Sequence, residues 1–330
     1  MKKYVLFADP HIGKQNHNNF WADTVLKLFD SIIDTCDRNN IKDVICLGDW
    51  FDSRKNLNVL TINLAEKICK QYFEDNDINL YIIRGNHDTF YKNQSKPHSL
   101  SFLKLFNNIH IVEEQPLYLD YFYLVPWGSD LSNIENDSFI MGHFEINGFI
   151  TNYSGHTQTN SKLNISDFKR FNKVLSGHFH TPSKQGNIQY IGSSFAMDFN
   201  DINSDRGYYI LDNHQLQFIE FKEASKFISI STEDNFDESL IYNNIIRLTF
   251  TKDYGNVKNQ QIIDSIYELQ PASLQTNYNI EDEDEEMTLE EDFDVNDNSV
   301  IMREYIERSE TPDHLNKKVL KKLIEQLEEE

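Results

Sequence analysis

Strand-length apolar runs alternate with helical stripes through the first part of this chain, and three of the runs stop at residues able to hold a metal ion. The run 4–8 ends at Asp9, the run 44–47 ends at Gly48-Asp49, and the run 80–83 is followed by Gly85-Asn86-His87-Asp88. Between them, Trp21, Val25, Leu28, Phe29, Ile32, Ile33 and Cys36 recur at three- and four-residue spacing, as do Leu57, Leu60, Leu64, Ile68 and Tyr72. That is the period of a helix with one buried face. Strands alternating with helices imply βαβ units and parallel pairing. In such sheets, groups just past the strands gather outside their carboxyl ends. The pattern therefore predicts one edge carrying Asp9, Asp49 and Asn86.

Strands dominate the next stretch, at 139–142, 173–176, 189–191, 208–211 and 216–221. A second sheet packed on the first accommodates them, which gives a layered α/β sandwich over residues 1–222. Residues 223–275 read as a small α+β unit, with apolar positions at Ile228 and 245–250 and a helical run at 261–269. Residues 276–298 read as an acidic linker. Residues 299–330 read as an amphipathic helical segment, because Leu315, Val319, Leu320, Leu323, Ile324 and Leu327 form one apolar stripe.

The net charge of −22 argues at first against a polyanionic partner. Its distribution weakens the objection. Eleven acidic and no basic residues lie between Glu281 and Asp297, so half the excess sits far in sequence from the ligand-type motifs. Cys36, Cys46 and Cys69 form no CxxC pair and fall on apolar positions, the pattern of buried reduced thiols. No apolar stretch approaches the roughly 20 residues that cross a bilayer. The expectation is a cytoplasmic protein without a membrane partner.

Four short motifs carry the chemistry: Asp9-Pro10-His11, Gly48-Asp49-Trp50-Phe51-Asp52, Gly85-Asn86-His87-Asp88 and Gly177-His178-Phe179-His180. Each alone is weak, since a single Asp or His beside a turn is commonly a cap. In this order, at successive strand ends, they describe a pocket for two divalent ions. Asp9 and His11, like His178 and His180, are two residues apart, and in extended backbone such side chains point the same way. Two dications carry four positive charges against the two negative charges of Asp9 and Asp49, so the pocket would attract a phosphodiester even in an acidic protein.

With these motifs the chain resembles the calcineurin-like metallophosphoesterases over about residues 1–222, and Met141-Gly142-His143 supplies the remaining Gly-His element of that family's pattern. The Gly48–Asp52 motif and the long tail look most like the nuclease subunit of the SbcD type, including phage recombination nucleases that pair with an SMC-like ATPase. The resemblance implies an αββα metallophosphoesterase sandwich, with the 223–275 unit as a cap domain and a C-terminal helical tail. It assigns Asp9, His11 and His180 to one metal and Asn86, His143 and His178 to the other, with Asp49 bridging and manganese as the metal. It makes His87 the catalytic histidine rather than a ligand.

Asp52, one helical turn beyond Asp49, is expected to form a dyad with His87. Lys14, Arg54, Lys55, Lys92, Lys96 and Lys184 follow the motifs and are expected to ring the metal edge as DNA phosphate contacts. The resemblance further implies a homodimer and an ATPase docked on the terminal helix, together forming a recombination or repair nuclease. Two other readings stay open: a phosphoesterase for small-molecule phosphodiesters, and a non-catalytic scaffold on the same fold.

Overall fold

The computed structural model describes residues 2–91, 94–151, 155–202 and 205–279. Its first sheet begins with four parallel strands: β1 (Lys3–Phe7), β2 (Asp43–Cys46), β3 (Asn79–Ile83) and β4 (Ile109–Val112). β1 is buried on both faces, which explains its unbroken apolar run. Val5 and Phe7 point into one core with the helices; Tyr4, Leu6 and Ala8 point into another between the sheets.

The helix Asn19–Asn39 covers the outer face of this sheet. The Asn18 side chain caps it by accepting from Phe20 N at 2.9 Å, and Asn40, at φ 51°, ends it in the left-handed region. Trp21, Val25, Leu28, Phe29, Ile32 and Cys36, the stripe read from the sequence, are its buried face. The second stripe forms the helix Val59–Lys67, which widens into a π-helical stretch at Ile68–Glu74.

The second sheet contains β5 (Leu117–Leu119), β6 (Phe122–Val125), β7 (Phe139–His143), β10 (Lys173–Gly177), β11 (Ser183–Gln185) and β12 (Ile188–Tyr190), in the order β11-β12-β10-β7-β6-β5. Between β7 and β10 a short parallel pair, β8 (Ile146–Asn147) and β9 (Leu163–Asn164), stands apart. Leu6, Ile45, Phe122, Met141 and Leu175 fill the space between the two sheets. The outer face of the second sheet is covered by a thin layer built on the 3-10 turn Ile165–Phe168, with Phe144, Phe149, Phe168 and Phe171 packed on Ile140 and Val174.

One assignment changes. The runs at 208–211 and 216–221 do not join the second sheet. They form β13 (Gly207–Asp212) and β14 (Gln215–Glu220), and β13 pairs antiparallel with the free edge of β1, Lys3 opposite Asp212. The reason is burial on both faces. Tyr208 and Ile210 enter the helix-side core, Leu211 enters the inter-sheet core, and Tyr208 Oη lies 2.8 Å from Thr35 Oγ1 on the long helix.

Residues beyond 222 form a small parallel sheet of β15 (Phe227–Ser231), β16 (Ile245–Phe250) and β17 (Ser273–Tyr278), with the helix Asn256–Glu268 connecting the last two. Thr276, Asn277 and Tyr278, expected in the linker, are strand residues paired with Leu248, Thr249 and Phe250. Phe227 belongs to the helix-side core, where its ring stacks near Trp21, with centroids 6.3 Å apart. The Arg247 guanidinium lies 3.8 Å from the centre of the Phe199 ring. These contacts seat the unit on the sandwich. Most of the expected linker and the whole terminal helix lie outside the described residues.

Candidate metal centre

Strand ends from both sheets deliver the motif residues to one place. Asp9 follows β1, Asp49 follows β2, Asn86 follows β3, His143 closes β7, and His178 and His180 follow β10. Asp9, His11 and His180 form one cluster whose ligand atoms all lie within 4.8 Å of one another, and Asp49, His143 and His178 form a second. Asn86 Oδ1 joins the second, 2.8 Å from His143 Nε2 and 2.9 Å from His178 Nδ1. Asp49 Oδ2 reaches toward both clusters, 3.3 Å from His143 Nε2 and 3.9 Å from His11 Nε2. All seven residues expected as ligands therefore converge.

The backbone achieves this differently from the sequence expectation. Asp9 (φ 52°), His11 (φ 43°), Asp49 (φ 50°) and His178 (φ 91°) occupy positive φ, not extended backbone. The region is uncommon for any residue with a side chain, although Asp and His visit it more often than most. Strained residues of this kind persist where the surrounding structure over-determines them. Here Asp9 N and His11 N donate to the carbonyls of Gly48 and Asp49, both at 3.2 Å. The Asp9 carboxylate accepts from His178 N at 3.1 and 3.2 Å. Asp88, fully buried, accepts from Gly85 N at 2.8 Å and Phe51 N at 3.1 Å, so it knits the second and third motif loops together. Gly85 is needed for close approach, because a Cβ there would lie 2.2 Å from Asp49 Oδ1.

The donor chemistry fits divalent cations. His143 Nδ1 lies 2.8 Å from the carbonyl oxygen of Leu47, an acceptor only, so Nδ1 carries the proton. In the neutral ring Nε2 then presents its lone pair to Asn86 Oδ1 and Asp49 Oδ2. His11 Nε2 and His180 Nε2 lie 3.2 Å apart. A nitrogen lone pair facing carboxylate and amide oxygens, as at His143, calls for a positive centre between them. Burial lowers the pKa of His11, His178 and His180, which keeps these imidazoles in the neutral form that binds metal.

Burial opposes the charge on His143, yet the Asp49 and Asp9 carboxylates outweigh it and push its pKa up to about 9. Burial also opposes the charge on Asp49, but His143 and His11 hold that carboxyl well below its ordinary range. Mixed oxygen and imidazole donors suit manganese, iron or zinc.

His87 stands beside the clusters. Its N–H donates to Asp49 Oδ1 at 2.8 Å, and its ring meets that of His11 edge-on with centroids 4.9 Å apart. The expected side-chain dyad with Asp52 is not formed. The main-chain carbonyl of Asp52 lies 2.6 Å from His87 Nδ1, while its carboxylate sits 3.3 Å from His11 Nδ1. The turn after Asp49 directs the carboxylate to the neighbouring imidazole.

The basic residues separate. The charge of Lys14 reaches Asp52 and His180, which places it by the first cluster. Arg54 is half-buried and Lys55 exposed, both just past Asp52. Lys96 is ion-paired with Glu114. Lys184 does not join the metal edge. It lies on the outer strand β11, opposite Gln189, and its charge adds to burial in lowering the pKa of Lys173 at the far end of β10. Lys92 lies outside the described residues.

Several neighbours of the clusters escaped the sequence reading. The Trp127 indole lies 5.3 Å from the His178 ring and 5.9 Å from that of His143. Its Val-Pro-Trp-Gly stretch follows β6, a short strand the reading did not mark. Glu145 Oε1 is 3.7 Å from His178 Nε2; its two-residue offset from His143 was the available signal. Arg206 donates to the carbonyl of His180, to Ser193 Oγ at 3.0 Å and to Asp201 Oδ1 at 2.8 Å. No motif marks it.

Known proteins resemble this chain. The family profile for calcineurin-like phosphoesterase matches residues 2–204. Exonuclease subunit 1 of Enterobacteria phage T4 is 31% identical over 223 residues, covering 64% of this chain and 64% of that protein. The SbcD component of the SbcCD nuclease of Staphylococcus epidermidis is 34% identical over 94 residues, covering 26% of this chain and 25% of that protein. The chain thus spans less than two thirds of the length of both relatives. With the profile matched over more than half of the chain, and the expected ligands gathered where strand ends of the two sheets meet, the chain belongs to the calcineurin-like phosphoesterase family.

Proposed function

We propose that this protein is the nuclease subunit of a recombination or repair complex, hydrolysing DNA phosphodiesters with two divalent metal ions, manganese in the native enzyme. The observation that carries this reading is the Asp49 carboxylate. One of its oxygens reaches toward both ligand clusters, and the other accepts the main-chain N–H of His87. Asp9, His11 and His180 would hold one ion, and Asn86, His143 and His178 the other, with Asp49 between them. When bound, such a pair activates water and neutralises the phosphoryl oxygens.

The chain's own residues supply the rest. His87 keeps a proton on Nδ1 because the Asp52 carbonyl can only accept. The proton exchanged with substrate is then the one on Nε2, which can pass to the departing sugar oxygen. Asp49 fixes the His87 backbone relative to the clusters, so proton donor and phosphate sites are set by one residue. Lys14, Arg54 and Lys55 are the basic residues left to draw DNA toward this edge.

In this reading the 223–278 unit acts as a cap over DNA, and the 299–330 segment, outside the described residues, docks on an SMC-like ATPase. A homodimer would form through the early helices; Val59 and Leu60, 70% and 58% exposed at the start of the helix Val59–Lys67, are available for it. No helix among the described residues is long and apolar enough to cross a membrane.

The test is manganese-dependent digestion of linear, single-stranded and hairpin DNA, with and without the ATPase, by wild type and His87→Ala. The variant should keep its metal and lose roughly 10² to 10⁴-fold in rate. Full activity in the variant would overturn the role of His87. Better saturation of the pure protein by small phosphodiesters than by DNA would overturn the nuclease reading.

A further inference from the structure

We infer that Trp127 is a stacking platform for a nucleobase flanking the scissile phosphate, an inference that rests on the nuclease reading above. The indole touches the second cluster from outside the ligand set. Its ring is tilted 36° to that of His178 at 5.3 Å and meets that of His143 at 67° and 5.9 Å. It is only partly buried, whereas the other two tryptophans, Trp21 and Trp50, are 5% and 0% exposed. A phosphate held at the second cluster has its base one sugar away, and an indole centred 5.3 Å from the His178 ring lies within that reach.

The main chain that carries the platform is held in place. Trp127 N donates to the Arg84 carbonyl at 2.8 Å, and Arg84 Nη2 donates back to the Trp127 carbonyl at 2.7 Å. The Arg84 side chain is itself anchored to the Glu113 carbonyl at 2.6 Å, and Gly85 and Asn86 follow Arg84 directly in the chain. Ser129 N closes a turn on the Pro126 carbonyl at 3.2 Å, with Gly128 at φ 75°. A side chain carried on a backbone held in this way has less freedom to lose when a base stacks on it. Stacking tolerates any base, since each has a π-face. This suits a chain with no visible base-reading motif.

The experiment uses the full chain and short single-stranded oligonucleotides with one cleavable linkage, carrying an abasic site on one side or the other. Wild type should show KM raised about tenfold to a hundredfold for one of the two abasic positions, with kcat changed far less. Trp127→Leu should bind the intact oligonucleotide as poorly as wild type binds the abasic one, and Trp127→Phe should fall between. As a readout independent of turnover, a thymidylate oligonucleotide should quench the indole fluorescence of wild type but not of Trp127→Leu, because the remaining tryptophans are buried.

Wild type that is indifferent to both abasic positions overturns the inference whatever the variants do. Trp127→Leu that keeps the wild-type abasic sensitivity overturns it too. Wild type that cleaves all these oligonucleotides equally leaves the nuclease reading standing and removes only the stacking. Wild type that cleaves none removes both.

Discussion

The main-chain carbonyl of Asp52 accepts from His87 Nδ1 at 2.6 Å, while the carboxylate of the same residue lies 3.3 Å from His11 Nδ1. One residue thereby faces two histidines with two different groups. Only one of these interactions depends on the side chain.

The consequence is a split phenotype. Asp52→Asn and Asp52→Ala should leave His87 in place and weaken the hold on His11. Metal affinity at the cluster of Asp9, His11 and His180 should fall roughly 10- to 100-fold, the cost typical of losing a group that orients a ligand. The rate at saturating metal should fall much less than in His87→Ala. Titration calorimetry with manganese, beside steady-state rates at high metal, separates the two. A loss at saturating metal as large as that of His87→Ala would mean that the carboxylate acts on His87 after all.

Metal uptake should release protons. Burial works against the His143 imidazolium, but Asp49 and Asp9 raise its pKa to about 9, so the metal-free ring is protonated at neutral pH and must deprotonate to bind. Apparent affinity should climb as pH rises toward about 9 and flatten beyond it. The sign for stability follows from the same shift. A raised folded-state pKa contributes stability below the ordinary histidine range that is lost as pH rises through about 9. Chelator-treated protein should therefore lose His143's contribution over that interval. Calorimetry in buffers of different ionisation enthalpy reports the proton count.

Gly85→Ala should disorganise the site from its backbone. A Cβ would lie 2.2 Å from Asp49 Oδ1 and 2.3 Å from Asp49 N, which neither a carboxylate bonded to His87 nor a main-chain amide can relieve locally. Overpacking of this kind costs about 1–3 kcal/mol. Urea denaturation should show a loss of that size, together with reduced metal content. Unchanged manganese binding would mean that the Asp49 loop moves freely.

Arg206→Ala should cost more than its distance from the clusters suggests. Arg206 and Asp201 are each 5% exposed at the side chain and 2.8 Å apart. Removing one partner of a buried pair typically costs about 3–5 kcal/mol. The His180 carbonyl would also lose a donor, although Ser193 N, at 3.0 Å, still holds it. The double variant Asp201→Leu/Arg206→Met should recover much of the stability. A double-mutant cycle by urea denaturation checks this.

Much of the site was legible because strand ends and ligand residues adjoin in sequence. The apolar runs marked β1, β2, β3, β7 and β10, and a candidate ligand stands at or just past the end of each. Strand partners were not legible in the same way. The run at 208–211 shows that it is buried on both faces but not beside which neighbour, so β13 was placed in the wrong sheet. The route of the backbone was hidden too. Asp9 and His11 converge through left-handed conformations imposed by hydrogen bonds to Gly48 and Asp49, residues distant in sequence. Trp127 was missed because β6 spans only Phe122–Val125, too short for alternation to stand out.

Pairing Lys3 with Asp212 has a consequence for biosynthesis. The strand bearing Asp9 is made well before its outer neighbour, which lies about two hundred residues downstream. Until that hairpin emerges from the ribosome, β1 exposes a row of unpaired amides and carbonyls, a template for wrong pairing. Such distant contacts also slow folding. The nascent chain should therefore depend on chaperone cover, and truncations ending before β13 should aggregate even though they contain every candidate ligand.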